Sequence, residues 1–232
     1  MKVDIWSDIA CPWCFIGKRR FEKALADFPH REQVEVTWHS YQLDPTIPTH
    51  YDGTEVDYLA NVKRMPREQV HQMIDHVKAT AAGEGLDYDF DSLVVANSFS
   101  AHELLHLAKE HGVADPVKEA LLSAHFEKGE DIGDRDVLVR IGATAGLDPA
   151  EITDSLELRR YRKAVQDDIR QAQSLGIRGV PFFVIDDKWG ISGAQPSELF
   201  TQALDQAWRE SNPLVMVQSG DDAACGPDGC AI

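Results

Sequence analysis

Ser7–Leu25, SDIACPWCFIGKRRFEKAL, is the stretch whose reading decides the fold. Only Pro12 and Trp13 separate Cys11 from Cys14. Upstream, Val3 to Ser7 reads as a short buried strand. Downstream, Phe21, Ala24, Leu25 and Phe28 recur at i, i+3, i+4 and i+7, which gives a helix one apolar face. The cysteine pair therefore sits at a strand-to-helix junction, Cys11 near the N-cap and Cys14 in the first turn. Unpaired backbone N–H groups and the positive end of the helix dipole converge there and favour thiolate over thiol. Pro12 at the first helical position removes one orphan N–H and presets the turn. Thiolate is the nucleophile of disulfide exchange, and this spacing lets Cys14 attack a mixed disulfide formed on Cys11. On this reading Cys11 is exposed with a lowered pKa, and Cys14 is more buried and less reactive.

Working outward, Val34 to Trp38 alternates as a second strand, so the chain opens βαβ and belongs to the α/β class. Helix signals then replace strand signals. Ser100 with Glu103 makes a capping box before Leu104, and Asp115-Pro116 and Asp148-Pro149 each supply an N-cap followed by proline. Gly129 and Gly146 follow helical runs as C-caps. A long helix is expected from Leu158 to Leu175, ended by Gly176. After it, Gly179 to Asp186 (GVPFFVID) is the strongest strand signal, Trp189 to Ser192 its hairpin partner, and Ser197 to Arg209 a closing helix. The expected division is a discontinuous unit of residues 1–43 and 157–212, an all-α insertion over 44–156, and a tail over 213–232 that carries Cys225 and Cys230.

With 232 residues, 43% of them hydrophobic, the chain can bury one sizeable core. A net charge of −16 without a basic stripe argues against nucleic acid and anionic membrane surfaces as partners. No run approaches the ~20 apolar residues of a membrane span. The first residues lack the apolar core of a secretory signal, and four cysteines in two tight pairs do not make a secreted disulfide scaffold. A cytoplasmic protein is expected, with the oligomeric state left open.

The segments SDIACPWCFIG and GVPFFVIDDKWGISGAQPSELF together resemble the DsbA-like branch of the thioredoxin superfamily, within it the FrnE group, which is related to 2-hydroxychromene-2-carboxylate isomerases. The resemblance implies a thioredoxin fold with a large all-α insertion between an N-terminal βαβ and a C-terminal ββα part. It implies a thiol–disulfide oxidoreductase with Cys11 attacking and Cys14 resolving, acting on disulfide or dithiol substrates. Pro181 would be a cis-proline facing the cysteines, with Val180 offering its backbone to an extended substrate and Pro12 and Trp13 beside it. No bound cofactor is expected; glutathione or another low-molecular-weight thiol is a candidate redox partner. The glutathione-dependent isomerases and kappa-type transferases of this superfamily carry serine where Cys11 stands, which favours redox chemistry here. A thiol-dependent isomerase or transferase, and a holdase chaperone, are the alternatives.

Other motifs compete. His102 to His106 (HELLH) matches the helical zinc-protease signature, but Lys109 and His111 break its extended form. Its leucines explain it as an ordinary helix. The four cysteines could form a Cys₄ zinc site, but one pair opens a helix rather than a knuckle; no metal is expected. Asp8 is a candidate proton relay or a simple backbone acceptor, and His39 is expected to be structural. Gly226-Pro-Asp-Gly229 is a turn sequence that brings Cys225 and Cys230 within bridging reach, as a second redox pair or a local staple.

Overall fold

The computed structural model describes residues 1–213. β1 (Lys2–Ser7) is buried on both faces beyond Lys2, the pattern of a strand covered on two sides. α1 (Pro12–Ala26) carries the chain back, so that β2 (Glu35–Ser40) pairs parallel to β1, from Lys2 opposite Glu35 to Ser7 opposite Ser40. The chain is then helical through α2 (Glu55–Asp57), α3 (Arg67–Gly83), α4 (Phe99–Glu110), α5 (Ala114–Phe126), α6 (Arg135–Thr144), α7 (Pro149–Glu157) and α8 (Arg162–Ser174). β3 (Phe182–Ile185) returns antiparallel to β1, β4 (Trp189–Ser192) is its hairpin partner, and α9 (Ser197–Ser211) closes the unit. The sheet order is β2-β1-β3-β4. A βαβ opening and a ββα close thus flank a helical insertion. No described helix is long and apolar enough to cross a membrane.

Packing ties the parts together. The Phe21 ring lies 5.5 Å from Phe183 at a tilt, and Phe183 meets Phe200 edge to face at 4.6 Å, joining α1, β3 and α9. The same apolar cluster continues through Ile5 and Trp38 into Leu104, Leu121 and Leu138 of the insertion. A second cluster joins Phe15 and Ile16 of α1 to Val77, Tyr88, Leu122 and Phe126.

Three helix boundaries differ from the sequence reading. α4 starts at Phe99 because Asn97 Oδ1 accepts the Phe99 N–H at 2.9 Å. Ser100 is therefore inside the helix, and Glu103 is buried facing Arg159 at 2.9 Å rather than capping. α5 starts at Ala114, so Asp115 lies in its first turn and accepts the Trp38 indole N–H at 3.2 Å. The expected long helix from Leu158 begins only at Arg162, since Arg159 takes a positive φ of 52° and turns its guanidinium to Glu103. Asp148, by contrast, caps α7 ahead of Pro149, accepting the Ala150 N–H at 3.0 Å.

A buried charge network anchors the sheet to the insertion. Asp168 on α8 accepts the Ser40 N–H at 2.7 Å and faces His39 Nδ1 at 3.0 Å, His106 Nε2 at 3.1 Å and Lys109 Nζ at 3.6 Å. His39 stacks on Trp6 and reaches Asp4 at 2.7 Å with its other nitrogen, a structural role. Burial works against the Asp168 carboxylate, but His106, His39 and Lys109 hold its pKa far below the usual carboxylate range. A depressed folded pKa contributes stability above the unfolded value of about 3.9 and loses it as pH falls. Asp168→Asn should therefore lower stability at pH 7 by about 3 kcal/mol and flatten the acid limb of the stability profile. Urea unfolding across pH measures both, and an unchanged midpoint at pH 7 would sink the assignment.

Candidate active site

The cysteine pair is built by the end of β1. The strand stops at Ser7, the chain turns through Asp8 to Ala10, and Cys11 is the N-cap of α1 with φ −105° and ψ 113°. Pro12 occupies the first turn, and the Cys14 N–H donates to Cys11 O at 3.0 Å. β3 pairs with β1, so the segment leading into it faces the same junction. The Cys11 thiol donates to Val180 O at 3.6 Å, and the Val180–Pro181 peptide is cis. Pro181 is buried against α1. A Cβ on Gly17 would lie 2.7 Å from Pro181 Cγ, so the close approach requires glycine there.

Both thiols are buried, Cys11 at 3% exposure and Cys14 at 1%. This corrects the expected exposure of Cys11. The insertion covers the junction: the Tyr88 hydroxyl donates to Pro12 O at 2.7 Å, and His76 lies 5.9 Å from the half-buried Trp13. Charge is also distributed otherwise than expected. The neighbouring Cys14 sulfur, together with burial, pushes the Cys11 thiol up. Burial opposes the Cys14 thiolate too, but the Cys11 S–H, the Lys118 ammonium and the Ser7 hydroxyl hold the Cys14 thiol below its ordinary value. The two thiols titrate together, so the first ionisation belongs to the pair.

Below the pair lies a buried polar cluster. Asp8 accepts the Leu43 N–H at 2.8 Å, the Ala10 N–H at 3.2 Å and His102 Nε2 at 3.3 Å. It is buried, and despite that burial His102 and the Leu43 amide keep it ionised. The HELLH histidines are divided between two carboxylates, His102 on Asp8 and His106 on Asp168. Among the described residues no group of three His, Cys, Asp or Glu side chains is placed to hold a metal. Cys225 and Cys230 lie outside the described residues. Sequence reasoning missed Tyr88, Lys118 and His125. For the last two a signal existed, because they sit seven apart on the Val117, Leu121, Leu122 stripe of α5.

Beside the pair opens a cavity of about 270 Å³. Cys11, Pro12 and Trp13 line it and Cys14 does not; its other walls include Ile47, Val77 and Phe90. Glu55 also lines it, and burial pushes that carboxyl up to about 7.

Residues 2–205 match the DsbA-like thioredoxin domain model. The chain belongs to the DsbA-like thioredoxin family. At the family level its chemistry is thiol–disulfide redox. It is 45% identical to a probable DsbA oxidoreductase from Streptomyces coelicolor, whose crystal structure superposes with a TM-score of 0.87 over 100% of this chain and 99% of that one. It is 28% identical over 205 residues to YwbO of Bacillus subtilis, an uncharacterised protein, covering 87% of this chain and 94% of that protein. The fold is also that of the cytosolic disulfide reductase DsbM from Pseudomonas aeruginosa, solved with GSH, at a TM-score of 0.63 and 19% identity over 90% of this chain and 100% of that one.

The Gly17–Pro181 contact in this DsbA-like chain can be tested directly. Gly17→Ala should destabilise the protein by about 1–3 kcal/mol through overpacking and slow disulfide exchange by displacing the Val180 carbonyl. Wild-type unfolding and exchange kinetics in the variant would show that the approach is not needed.

Proposed function

We propose that the chain catalyses thiol–disulfide exchange with Cys11 as the nucleophile and Cys14 as the resolving residue. One observation carries the assignment: of Cys11 and Cys14 only Cys11 lines the cavity, and the Val180 carbonyl lies against its thiol. In the reducing direction the Cys11 proton passes to Cys14 Sγ, the Cys11 thiolate attacks one sulfur of a substrate disulfide, and the other sulfur leaves as thiolate and takes up that proton. Cys14 Sγ then attacks Cys11 Sγ and expels the second substrate thiol. The substrate gains two electrons and two protons, and the Cys11–Cys14 disulfide remains. The oxidising direction is the reverse. Val180 presents backbone to the substrate, with Pro181 fixing the loop and Pro12 and Trp13 forming the near wall.

Glutathione or a related low-molecular-weight thiol is the recycling partner in this reading, as a reductant of cytoplasmic type. The fold shared with DsbM supports the choice of partner class. No bound cofactor is required. Asp8, whose oxygens are engaged by three donors, fixes the Leu43 segment at the cavity edge and sets the local charge. The apolar cavity also supports a second reading, in which Cys11 activates a thiol-dependent isomerisation of a small apolar acid. That activity would survive Cys14→Ser, whereas exchange would not.

In Cys14→Ser, incubation with a disulfide substrate should accumulate a mixed disulfide on Cys11, and Cys11→Ser should accumulate none. In the reduced wild type, iodoacetamide should label Cys11 before Cys14. Peptide mass spectrometry reads both, and first labelling of Cys14 would reverse the roles.

A further inference from the structure

Lys118 on α5 has no exposed surface, and its Nζ has no hydrogen-bond partner. A buried ammonium without compensation is strongly unfavourable, so its surroundings must supply it. The Trp38 ring centroid on β2, 5.6 Å from Nζ, supplies a cation–π contact. The charged and titratable groups that bear on it are Cys11 and Cys14 at the start of α1, Asp8 before them, Lys18 farther along α1, and His102 on α4. Asp8 is already engaged by two amides and His102. Burial holds His102 toward its neutral form. On α5 itself, Asp115 and Glu119 pair with Lys18, Glu119 also with Arg19, and His125 is held neutral by burial. The groups that favour the Lys118 charge are therefore Cys14 first, then Asp8 and Cys11.

We propose that Lys118 is the counter-charge of the reduced dithiol: its ammonium stabilises the Cys14 thiolate and biases the redox couple toward the reduced form. This rests on the exchange reading above. When a substrate dithiol reduces the disulfide, two electrons and two protons leave the substrate. One proton ends on Cys11; the other goes to a neutral Lys118, or to solvent where Lys118 is already charged. In the disulfide state the thiolate is gone, and Asp8 is the one anion left to Lys118. Its proton is then held less tightly. Burial already pulls the Lys118 ammonium down to about 8 in the reduced protein, against the pull of Cys14 and Asp8. Lys118 is a tuning residue that acts through Cys14, and it takes no part in bond making.

The test uses the full chain. Glutathione equilibration first establishes that a Cys11–Cys14 couple exists in the wild type; if none forms, the exchange reading itself fails. Lys118→Met, similar in length and apolar, should then weaken thiol acidity at least tenfold in a titration of thiolate absorbance near 240 nm. Between the wild-type thiol midpoint and that of Lys118, where thiolate and ammonium coexist, the glutathione equilibrium should move toward the disulfide, a tenfold move being about 30 mV. Unchanged acidity and potential in a folded variant would overturn the proposal. A measurement on the wild type stands independent of the variant's folding: the Lys Cε carbon resonances, titrated in each redox state. A lysine should titrate below its ordinary value of about 10.4 and, unlike the also lowered Lys109, at lower pH in the disulfide form than in the dithiol form. A titration indifferent to redox state would also overturn it.

Discussion

The site depends on one close approach, that of α1 to Pro181 at Gly17. No other residue type lets the loop before β3 lie so near the first helix, and without that proximity the Val180 carbonyl would not meet Cys11. Neighbouring bonds hold the same wall. Pro181 O accepts the Gly193 N–H at 2.8 Å, and Arg20, one turn beyond Gly17, donates to Ala194 O at 2.7 Å while pairing with Glu84 at the end of α3. One face of α1 thus fixes the loops of the β hairpin. Its other face, through Phe15 and Ile16, carries the insertion.

The insertion determines what can reach the sulfurs. Tyr88 is bonded to the Pro12 carbonyl and stacked on Phe126 at 5.0 Å, so the loop after α3 and the end of α5 form a roof over the helix N-terminus. This roof buries both thiols and leaves access to Cys11 along an apolar cavity. Desolvation there strengthens every charge interaction of the pair. The helix dipole at Cys11 and the ammonium of Lys118 therefore act in a medium that screens them weakly.

The outline of the fold was legible because its signals are local. β1, the helix it feeds, the GVPFFVID strand and the final helix each announce themselves through periodicity and caps, and all are present. The boundary errors have a common cause. Ser100, Asp115 and Leu158 were read by local rules, whereas tertiary partners decided them: Asn97 for α4, Trp38 and Lys18 for Asp115, Glu103 for Arg159. At the site, the CPWC spacing located the pair, but its burial was illegible, since the roof comes from residues such as Tyr88, 76 positions from the Pro12 it contacts. Lys118 carried a signal in its place on the apolar stripe of α5, but its burial was not legible locally. A lysine on an amphipathic helix reads as solvated until its neighbours on every side are known.

Among the described residues two buried clusters share the same ingredients, and they differ in satisfaction. Around Asp168 each carboxylate oxygen has a donor, both ring nitrogens of His39 are engaged, and the cluster links β1, β2, α4 and α8. Around Asp8 the carboxylate is satisfied, but His102 Nδ1, His125 Nδ1 and Lys118 Nζ are left without hydrogen-bond partners. Native interiors rarely leave such groups unpaired, and each instance calls for a physical reason. In a purely structural cluster, pairing or apolar replacement would be more stable. A redox site has a use for them, since its charge changes with turnover, and a partner saturated in one state cannot answer the change. The unsatisfied cluster lies under the cysteines and the satisfied one under the sheet, which is the division of labour expected where one protein core carries both a structural anchor and a reacting pair.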